Sequence, residues 1–324
     1  MRAIRVHPNN GNPVMRFEEV EVRAPGPREV RIRVAAASVN RSDLGRIDRY
    51  NPSAEADTPF IPGTDIAGTI EAVGDAVTER KVGDRVAALI SGGGYAEQVV
   101  THVASTAAVP DGVDLVVAAV VPVIYLTAWF PLVFAPGLKA GETVLIQSGA
   151  SGVGTAAIDI AKHLGARVFT TAGSEAKVDR LRERGVDLAI NYTIGDFAAD
   201  VMSATGGRGV DFVLESVGGD VYRKSIDVLA EGGRICSVGN SSGEAEVAAD
   251  ATLVARKGLS VTRFALPSEI PTGGTRRELP KVLDLVAAGT FRPVIDRTFE
   301  LSEAEAAHRR LEERGNFGKV LLVP

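Results

Sequence analysis

The most chemically loaded stretch of the chain is Ser148-Gly149-Ala150-Ser151-Gly152-Val153-Gly154. A glycine-rich turn between a strand and a helix lets the backbone approach a pyrophosphate, and the N–H groups at the helix start then face the anion. The run Thr143 to Gln147 before it has strand character. Val153, Ala156, Ala157, Ile160, Ala161 and Leu164 after it recur at helical spacing. The glycines at 149, 152 and 154 depart from the G-x-G-x-x-G spacing, with Ser151 where the middle glycine would be. Small side chains there still leave room for a ligand, so the loop reads as a dinucleotide phosphate site.

The next expected strand ends Thr170-Thr171-Ala172-Gly173, followed by Ser174-Glu175-Ala176-Lys177. NAD sites place an acidic residue at that strand end to bind the ribose hydroxyls, and none stands there. A Ser174 hydroxyl and the Lys177 ammonium one turn on suit a 2′-phosphate, which makes NADPH the expected cofactor. Glu175 opposes this by its charge. Ser174 also suits a helix N-cap, and Lys177 a solvated face.

These groups need a scaffold. From about residue 120 to 263 strands and helices alternate, with strands at Arg167 to Thr171, Leu188 to Ile190, Val210 to Leu214, Arg234 to Val238 and Leu259 to Thr262. Helices are expected at Glu175 to Arg184 and Tyr222 to Leu229. Such alternation predicts βαβ units and a parallel sheet. The first third is instead rich in short apolar runs bounded by glycine turns, among them Glu29 to Val34, Ile66 to Val73, Arg85 to Ile90 and Tyr95 to Thr101, which predicts a small barrel or sandwich. The tail offers one helix, Ala304 to Leu311, and a final strand, Lys319 to Val323, too little for a domain of its own. The expected organisation is therefore residues 1–120 with 264–324 as one discontinuous domain, and 121–263 as the dinucleotide-binding domain.

Composition narrows the function classes. The 324 residues carry 36 Lys and Arg against 41 Asp and Glu, a net charge of −5, which argues against nucleic acid or anionic lipid as the main partner. The single cysteine, Cys236, can form neither an internal disulfide nor a thiolate zinc cluster. Met1 to His7 shows no apolar leader stretch. Together these make a cytoplasmic location the expectation. Leu115 to Ala135 is uncharged, but Pro122 and Pro131 interrupt it, so two short buried helical pieces are expected rather than a membrane span.

Several segments in order along the chain carry a resemblance: Ser38-Val39-Asn40-Arg41-Ser42-Asp43, Pro62-Gly63-Thr64-Asp65-Ile66-Ala67-Gly68, Val82-Gly83-Asp84-Arg85-Val86, Leu126-Thr127-Ala128-Trp129, the glycine loop, Glu215-Ser216-Val217-Gly218-Gly219 and Gly318-Lys319-Val320. Over essentially its whole length the chain resembles the zinc-independent quinone oxidoreductase branch of the medium-chain dehydrogenase/reductase family. The resemblance implies an α/β fold, with a GroES-like β-barrel catalytic domain and a Rossmann-type doubly wound parallel sheet. Zinc-dependent relatives place Cys at the first landmark and Gly-His-Glu at the second, where this chain has Ser38 and Gly63-Thr64-Asp65. Ser and Thr are poor zinc ligands, so no metal is expected.

The chemistry implied is hydride transfer from NADPH to a quinone or an activated alkene such as an enone. The resemblance places Asn40 beside the nicotinamide as a donor to the acceptor oxygen, although Asn40 also suits a helix cap ahead of Asp43. It places Tyr50 at the substrate cleft and the Thr127 hydroxyl on the nicotinamide. Further implied cofactor contacts are Tyr192, Ser216, Gly239, Asn240, Phe264, Ala265 and Leu266, with Asn316 and Lys319 closing from the tail. Asp43 and Asp65 are expected to order loops, and no general acid is assigned. Relatives suggest a homodimer through the sheet edge at Leu259 to Thr262. Two other readings stay open. One is a 2-enoyl-thioester reductase with Arg46, Arg49, Arg276 and Arg277 near a carrier arm; the other is a non-catalytic NADPH-binding protein.

Overall fold

The computed structural model describes residues 1–8, 13–49, 59–134, 137–244 and 248–324. They form two units, one of Met1–Val123, Gly273–Gly289 and Pro293–Pro324, the other of Ile124–Thr272 and Thr290–Arg292.

The first unit opens with an antiparallel pair, β1 (Arg2–His7) and β2 (Val14–Glu19). The long strand β3 (Glu29–Val39) leads into α1 (Arg41–Asp48). Then come β4 (Asp65–Val73), β5 (Arg85–Leu89), β6 (Gln98–His102), β7 (Thr106–Ala108) and the short α2 (Leu115–Ala119). Val30, Ile32 and Val34 of β3 are buried at every second position, the period of a strand with one face on a core. They join Ile66, Ile70, Val86 and Tyr95 in one apolar cluster.

The second unit takes up the chain through α3 (Val121–Val133) and β8 (Thr143–Ile146). It continues α4 (Gly152–His163), β9 (Arg167–Ala172), α5 (Glu175–Glu183), β10 (Leu188–Asn191), α6 (Phe197–Ala204) and β11 (Val210–Glu215). It closes with α7 (Gly219–Asp227), β12 (Leu229–Ser237), α8 (Ala251–Lys257) and β13 (Ser260–Arg263). The six strands lie in the order β10-β9-β8-β11-β12-β13, all parallel. This is a doubly wound sheet whose order reverses between β8 and β11, and ligands of such sheets bind outside the carboxyl ends of the strands at that reversal. β13 is an edge strand.

The tail supplies α9 (Gly274–Ala287), β14 (Ile295–Glu300), α10 (Ala304–Glu312) and β15 (Lys319–Val323). In the first unit β15 pairs antiparallel with β3, Val320 opposite Val39, while β6 takes the other half of the same β3 edge. The sheet order is β14-β15-β3-β4-β5-β7. The pairing of β15 on β3 brings Lys319 to the end of β3, just before Asn40.

Several elements differ from the sequence expectation. The helix expected from Tyr222 starts at Gly219, and Leu229 already belongs to β12. The strand expected from Tyr95 starts at Gln98. Helices α1, α6 and α8 have eight residues or fewer, too short for a clear 3.6-residue period. The uncharged stretch breaks at Val120, and the expected break at Pro131 does not occur. Pro131 lies in the last turn of α3, where its missing N–H forfeits only one helical bond. Among the described residues no helix is long and apolar enough to cross a membrane.

The segment Thr290–Arg292 is held in the second unit by Phe291, which is 1% exposed. Its ring stacks on Tyr125 at 5.3 Å and meets Trp129 and His163 edge-on. Beside it the Asp159 carboxylate accepts from the Tyr125 hydroxyl and the Arg292 N–H, both at 2.8 Å, and from Arg184. Phe291→Ala is expected to lower unfolding stability by ~3–5 kcal/mol, and Phe291→Leu, which keeps most of the apolar volume, by clearly less. Urea denaturation checks this; equal midpoints for the two variants would mean that the ring cluster does not hold the segment.

Candidate functional site

The phosphate loop is built by its neighbours. Gln147 is pinned by the Thr171 hydroxyl at 2.6 Å and donates to Ser225 at 2.9 Å. Ser148 takes a left-handed φ of 56°, and Gly149 donates its N–H to the Thr171 carbonyl at 2.8 Å. A Cβ at Gly149 would lie 2.0 Å from the Thr170 hydroxyl oxygen, and one at Gly154 would lie 2.3 Å from the Ser148 carbonyl oxygen. These two glycines are therefore required by the packing of loop on strand and of helix on loop. Ser151 is the N-cap of α4, its hydroxyl accepting from the Gly154 N–H at 3.0 Å. Among the described residues nothing accepts from the N–H groups of Gly152 and Val153. Two adjacent open donors at the positive end of a twelve-residue helix fit a pyrophosphate.

Three candidates, Ser174, Lys177 and Tyr192, lie just past the ends of β9 and β10. Ser174 is the N-cap of α5, with its hydroxyl 3.4 Å from the Lys177 N–H. Capping uses the hydroxyl as an acceptor and leaves its proton to donate elsewhere. The Glu175 carboxylate accepts from Arg182 at 3.1 Å and Asn191 at 3.3 Å, which offsets part of its charge. Tyr192 is half-exposed, and a Cβ on Gly173 would lie 2.6 Å from its hydroxyl oxygen, so a side chain at 173 would push the ring from its present place.

Past β11 and β12, Ser216 accepts from the Ser241 N–H at 3.0 Å, and the Asn240 amide donates to the Glu244 carbonyl at 2.8 Å. The buried carboxylate of Glu215, which opens one of the resemblance landmarks but carries no assigned role there, ties this corner together. It accepts from the N–H groups of Val217 at 2.6 Å and Gly218 at 2.8 Å and from Ser237. Burial pushes its carboxyl above the usual range, against the pull of those donors. Gly239 lies against Ser216. Phe264 donates its N–H to the Ser237 carbonyl and stacks on Phe130 at 5.5 Å, while the Ala265 carbonyl accepts from Ser268 and Leu266 is buried. Thr127 is half-buried within α3. The candidates at 148–154, 174, 192, 216, 239–240 and 264–266 thus follow the carboxyl ends of the six parallel strands.

The first unit holds a second constellation, in which Ser38, Asn40, Asp43, Asp65 and Lys319 are all buried. The Asp65 Oδ1 oxygen accepts from the Ser38 hydroxyl and the Asn40 Nδ2, each at 2.7 Å, and Oδ2 accepts from the Val123 N–H at 3.3 Å. Asn40 Nδ2 also lies 3.3 Å from the Ser38 carbonyl and 3.4 Å from the Thr64 hydroxyl. On its other side Asn40 Oδ1 accepts from Lys319 Nζ at 2.7 Å, which also donates to the Val39 carbonyl at 2.6 Å. Lys319 is 4% exposed, so it is neither a solvated charge nor a mobile tail residue. Burial pushes its ammonium down, opposed by Asp65 and Asp43, and burial pushes the Asp65 carboxyl up. Asn316 is buried as well and donates to the Gly318 carbonyl at 2.8 Å, within its own turn. Tyr50 lies outside the described residues.

Asn40 is also the N-cap of α1, and Asp43 accepts from its backbone N–H at 2.8 Å. From Asp43 a buried chain runs through the Tyr95 hydroxyl at 3.2 Å to His308 Nε2, 3.1 Å further on. Tyr95 and His308 gave no signal in the sequence, because their partners lie 52 and 213 residues away. Burial raises the Asp43 carboxyl to about 6 and lowers the His308 imidazole to about 4. Among the described residues no group of three or more His, Cys, Asp or Glu side chains is placed to hold a metal ion.

Residues 26–111 match the family model for an alcohol dehydrogenase GroES-like domain, and residues 184–322 match one described as zinc-binding dehydrogenase. The chain is 34% identical to a 2-haloacrylate reductase of a Burkholderia species, covering 98% of each chain. It is 35% identical to a quinone oxidoreductase of Pseudomonas aeruginosa, covering 97% of each. Among solved structures it is similar to an NAD-dependent alcohol dehydrogenase, with TM-score 0.90, 33% identity and complete coverage of both chains. It is also similar to the Escherichia coli quinone oxidoreductase complexed with NADPH, with TM-score 0.92, 29% identity and complete coverage of both.

The Asp43–Tyr95–His308 chain makes a pH prediction. Asp43 binds its proton more tightly folded, at about 6, than unfolded, at about 3.9, so its contribution to stability falls as pH rises from 4 to 6. His308 holds its proton less tightly folded, at about 4, than unfolded, at about 6.5, so its contribution rises with pH from 4 to 6.5. In the wild type the two slopes oppose each other. Relative to wild type, Asp43→Asn should gain roughly 3 kcal/mol of stability across this window, and His308→Gln should lose a similar amount. Equilibrium unfolding at stepped pH checks this, and difference profiles that are flat would contradict it.

Proposed function

The chain belongs to the medium-chain dehydrogenase/reductase family, on its quinone oxidoreductase branch, and on that premise we propose that it reduces quinones or activated alkenes with NADPH and without zinc. Membership of this family makes the chain an NAD(P)H-dependent oxidoreductase.

The observation that carries the zinc-free reading is the closure of the donor set at Ser38 and Asp65. The Ser38 hydroxyl is spent on Asp65, and both oxygens of that carboxylate already accept protein hydrogen bonds. Hydroxyls are poor zinc ligands, and a buried lysine stands one side chain away. These residues do not fit a zinc ion, and no step is derived through one. Without a Lewis acid, the acceptor must already be electrophilic, which favours a quinone or enone over a simple alcohol or ketone.

For the dinucleotide the residues do fit. The open N–H groups of Gly152 and Val153 would hold the pyrophosphate, and Ser174 with Lys177 the 2′-phosphate. The absence of an acid at the end of β9 supports NADPH over NADH. When bound, the reduced nicotinamide supplies the hydride. As hydride arrives, negative charge grows on the acceptor oxygen, and a donor aimed there lowers the barrier. Asn40 is the proposed donor: its second Nδ2 hydrogen makes only contacts of 3.3 and 3.4 Å, long against the usual ~2.9–3.0 Å, so it is the least committed proton in the network. Thr127 and Tyr50 are proposed as further contacts to nicotinamide and acceptor.

Steady-state oxidation of NADPH and NADH against quinones, enones and 2-enoyl thioesters tests the reading. Turnover of thioesters alone would favour the enoyl reductase alternative. Tight NADPH binding with no accelerated oxidation would favour a binding protein. In the same assay Lys177→Ala should raise KM for NADPH by about ten-fold, close to 1.4 kcal/mol, and KM for NADH by under two-fold. Equal rises would remove Lys177 from the 2′-phosphate.

A further inference from the structure

We propose that Lys319 is the positioning residue that fixes the orientation of the Asn40 side-chain amide, rather than a contact to the dinucleotide. This rests on the functional reading above for its consequence in turnover, but the geometry stands without it. An asparagine amide can turn over and exchange its oxygen and nitrogen at almost no steric cost, so its hydrogen-bond partners alone decide which end faces where. Here the two ends meet partners of opposite kind. Lys319 Nζ, a donor with no acceptor capacity when protonated, lies 2.7 Å from Oδ1. Asp65 Oδ1 lies 2.7 Å from Nδ2 and already accepts from Ser38. A turned amide would set donor against donor at Lys319 and acceptor against acceptor at Asp65, both buried side chains.

The lysine is itself over-determined. Nζ is tied to the Val39 carbonyl at 2.6 Å, and the residue rides on β15, whose pairing with β3 sets Val320 opposite Val39. Its backbone N–H donates to the Val294 carbonyl at 2.8 Å. The charged and titratable groups around the amide are Asp65 on β4 and Asp43 on α1, with Tyr95 and His308 behind Asp43. None of them offers a donor to Asn40 Oδ1, so no other group takes over if Lys319 is lost. The backbone cap from Asp43 holds the Asn40 main chain and leaves the amide free to turn.

Two variants separate positioning from mere packing. Lys319→Met keeps the stem and removes the donor, but leaves Asp65 without a buried cation and is expected to unfold at lower temperature. Lys319→Met/Asp65→Asn removes the stranded charge and should recover most of that loss. If Lys319 positions Asn40, kcat falls at least ten-fold in both variants while KM for NADPH stays within two-fold of wild type, and the recovered stability of the double variant brings no recovery of kcat. Recovery of kcat together with stability would overturn the proposal, as would a ten-fold rise in KM for NADPH at unchanged kcat. A readout independent of turnover is hydrogen exchange of the Asn40 Nδ2 protons in asparagine-labelled protein by NMR. It should speed up at least ten-fold in whichever variant is folded, and an unchanged rate would overturn the proposal. A wild type that reduces none of the acceptors would refute the functional reading alone, and the exchange rate would still decide this one.

Discussion

A lysine that is removed from water must be met by acceptors and by negative charge, because the effective desolvation penalty for a buried ion is several kcal/mol. In the first unit that requirement falls on Lys319, and much of the local architecture follows from it. Its Nζ needs the Val39 carbonyl and the Asn40 oxygen, which fixes β15 against the end of β3. Asn40, having given its oxygen to the lysine, must spend its nitrogen on Asp65, and Asp65 draws in Ser38 and the Val123 N–H. Removal of any one member would leave another buried and unpaired, so the set behaves as one unit rather than as separate contacts.

The second unit answers a different constraint. A parallel sheet sets the carboxyl ends of its strands side by side, and helices beginning there point unsatisfied N–H groups past the same edge. Most of the protein's own polar groups along that edge are already used. Ser151 caps α4, Ser174 caps α5 and Glu215 gathers the N–H groups of Val217 and Gly218. What is left over, the donors of Gly152 and Val153, is anion-seeking by default. Gly149 and Gly154 leave no room for a side chain, so the loop packs closely on its strand and its helix.

How much of this was legible in the sequence follows from where each partner lies along the chain. The phosphate loop and the strand–helix alternation are local patterns, and the structure has β8, the turn and α4 within one or two residues of the reading. Ser151 stood out as a departure from the glycine spacing, yet its capping role could be recognised only with Gly154 in place. Lys319 was legible only as an open choice between a cofactor contact, ordinary packing and a solvated charge. A lysine near a chain end reads as solvated or ligand-seeking, and the bond that buries it spans 280 residues. Asp43 and Asp65 were read as ordering loops; Asp43 does hold the Asn40 backbone, but the coupling of Asp65 to Ser38, Asn40 and Lys319 needed strand pairing that no periodicity encodes. The short helices were lost because fewer than three turns give no measurable period.

On the proposed reading, in which Asn40 faces the acceptor, the same network also bears on the direction of the chemistry. Oxidation of an alcohol needs a base to take the hydroxyl proton, either a metal-bound oxygen or a free side chain. The two carboxylates nearest Asn40 are poorly placed for that. Asp65 accepts three hydrogen bonds, and Asp43 is buried against the Asn40 N–H and Tyr95. Asn40, with its oxygen held by Lys319, can only donate. A site whose uncommitted group is a donor favours a substrate that accumulates negative charge over one that must shed a proton. A quinone or an enone does the first, taking hydride at one atom and charge at an oxygen conjugated to it.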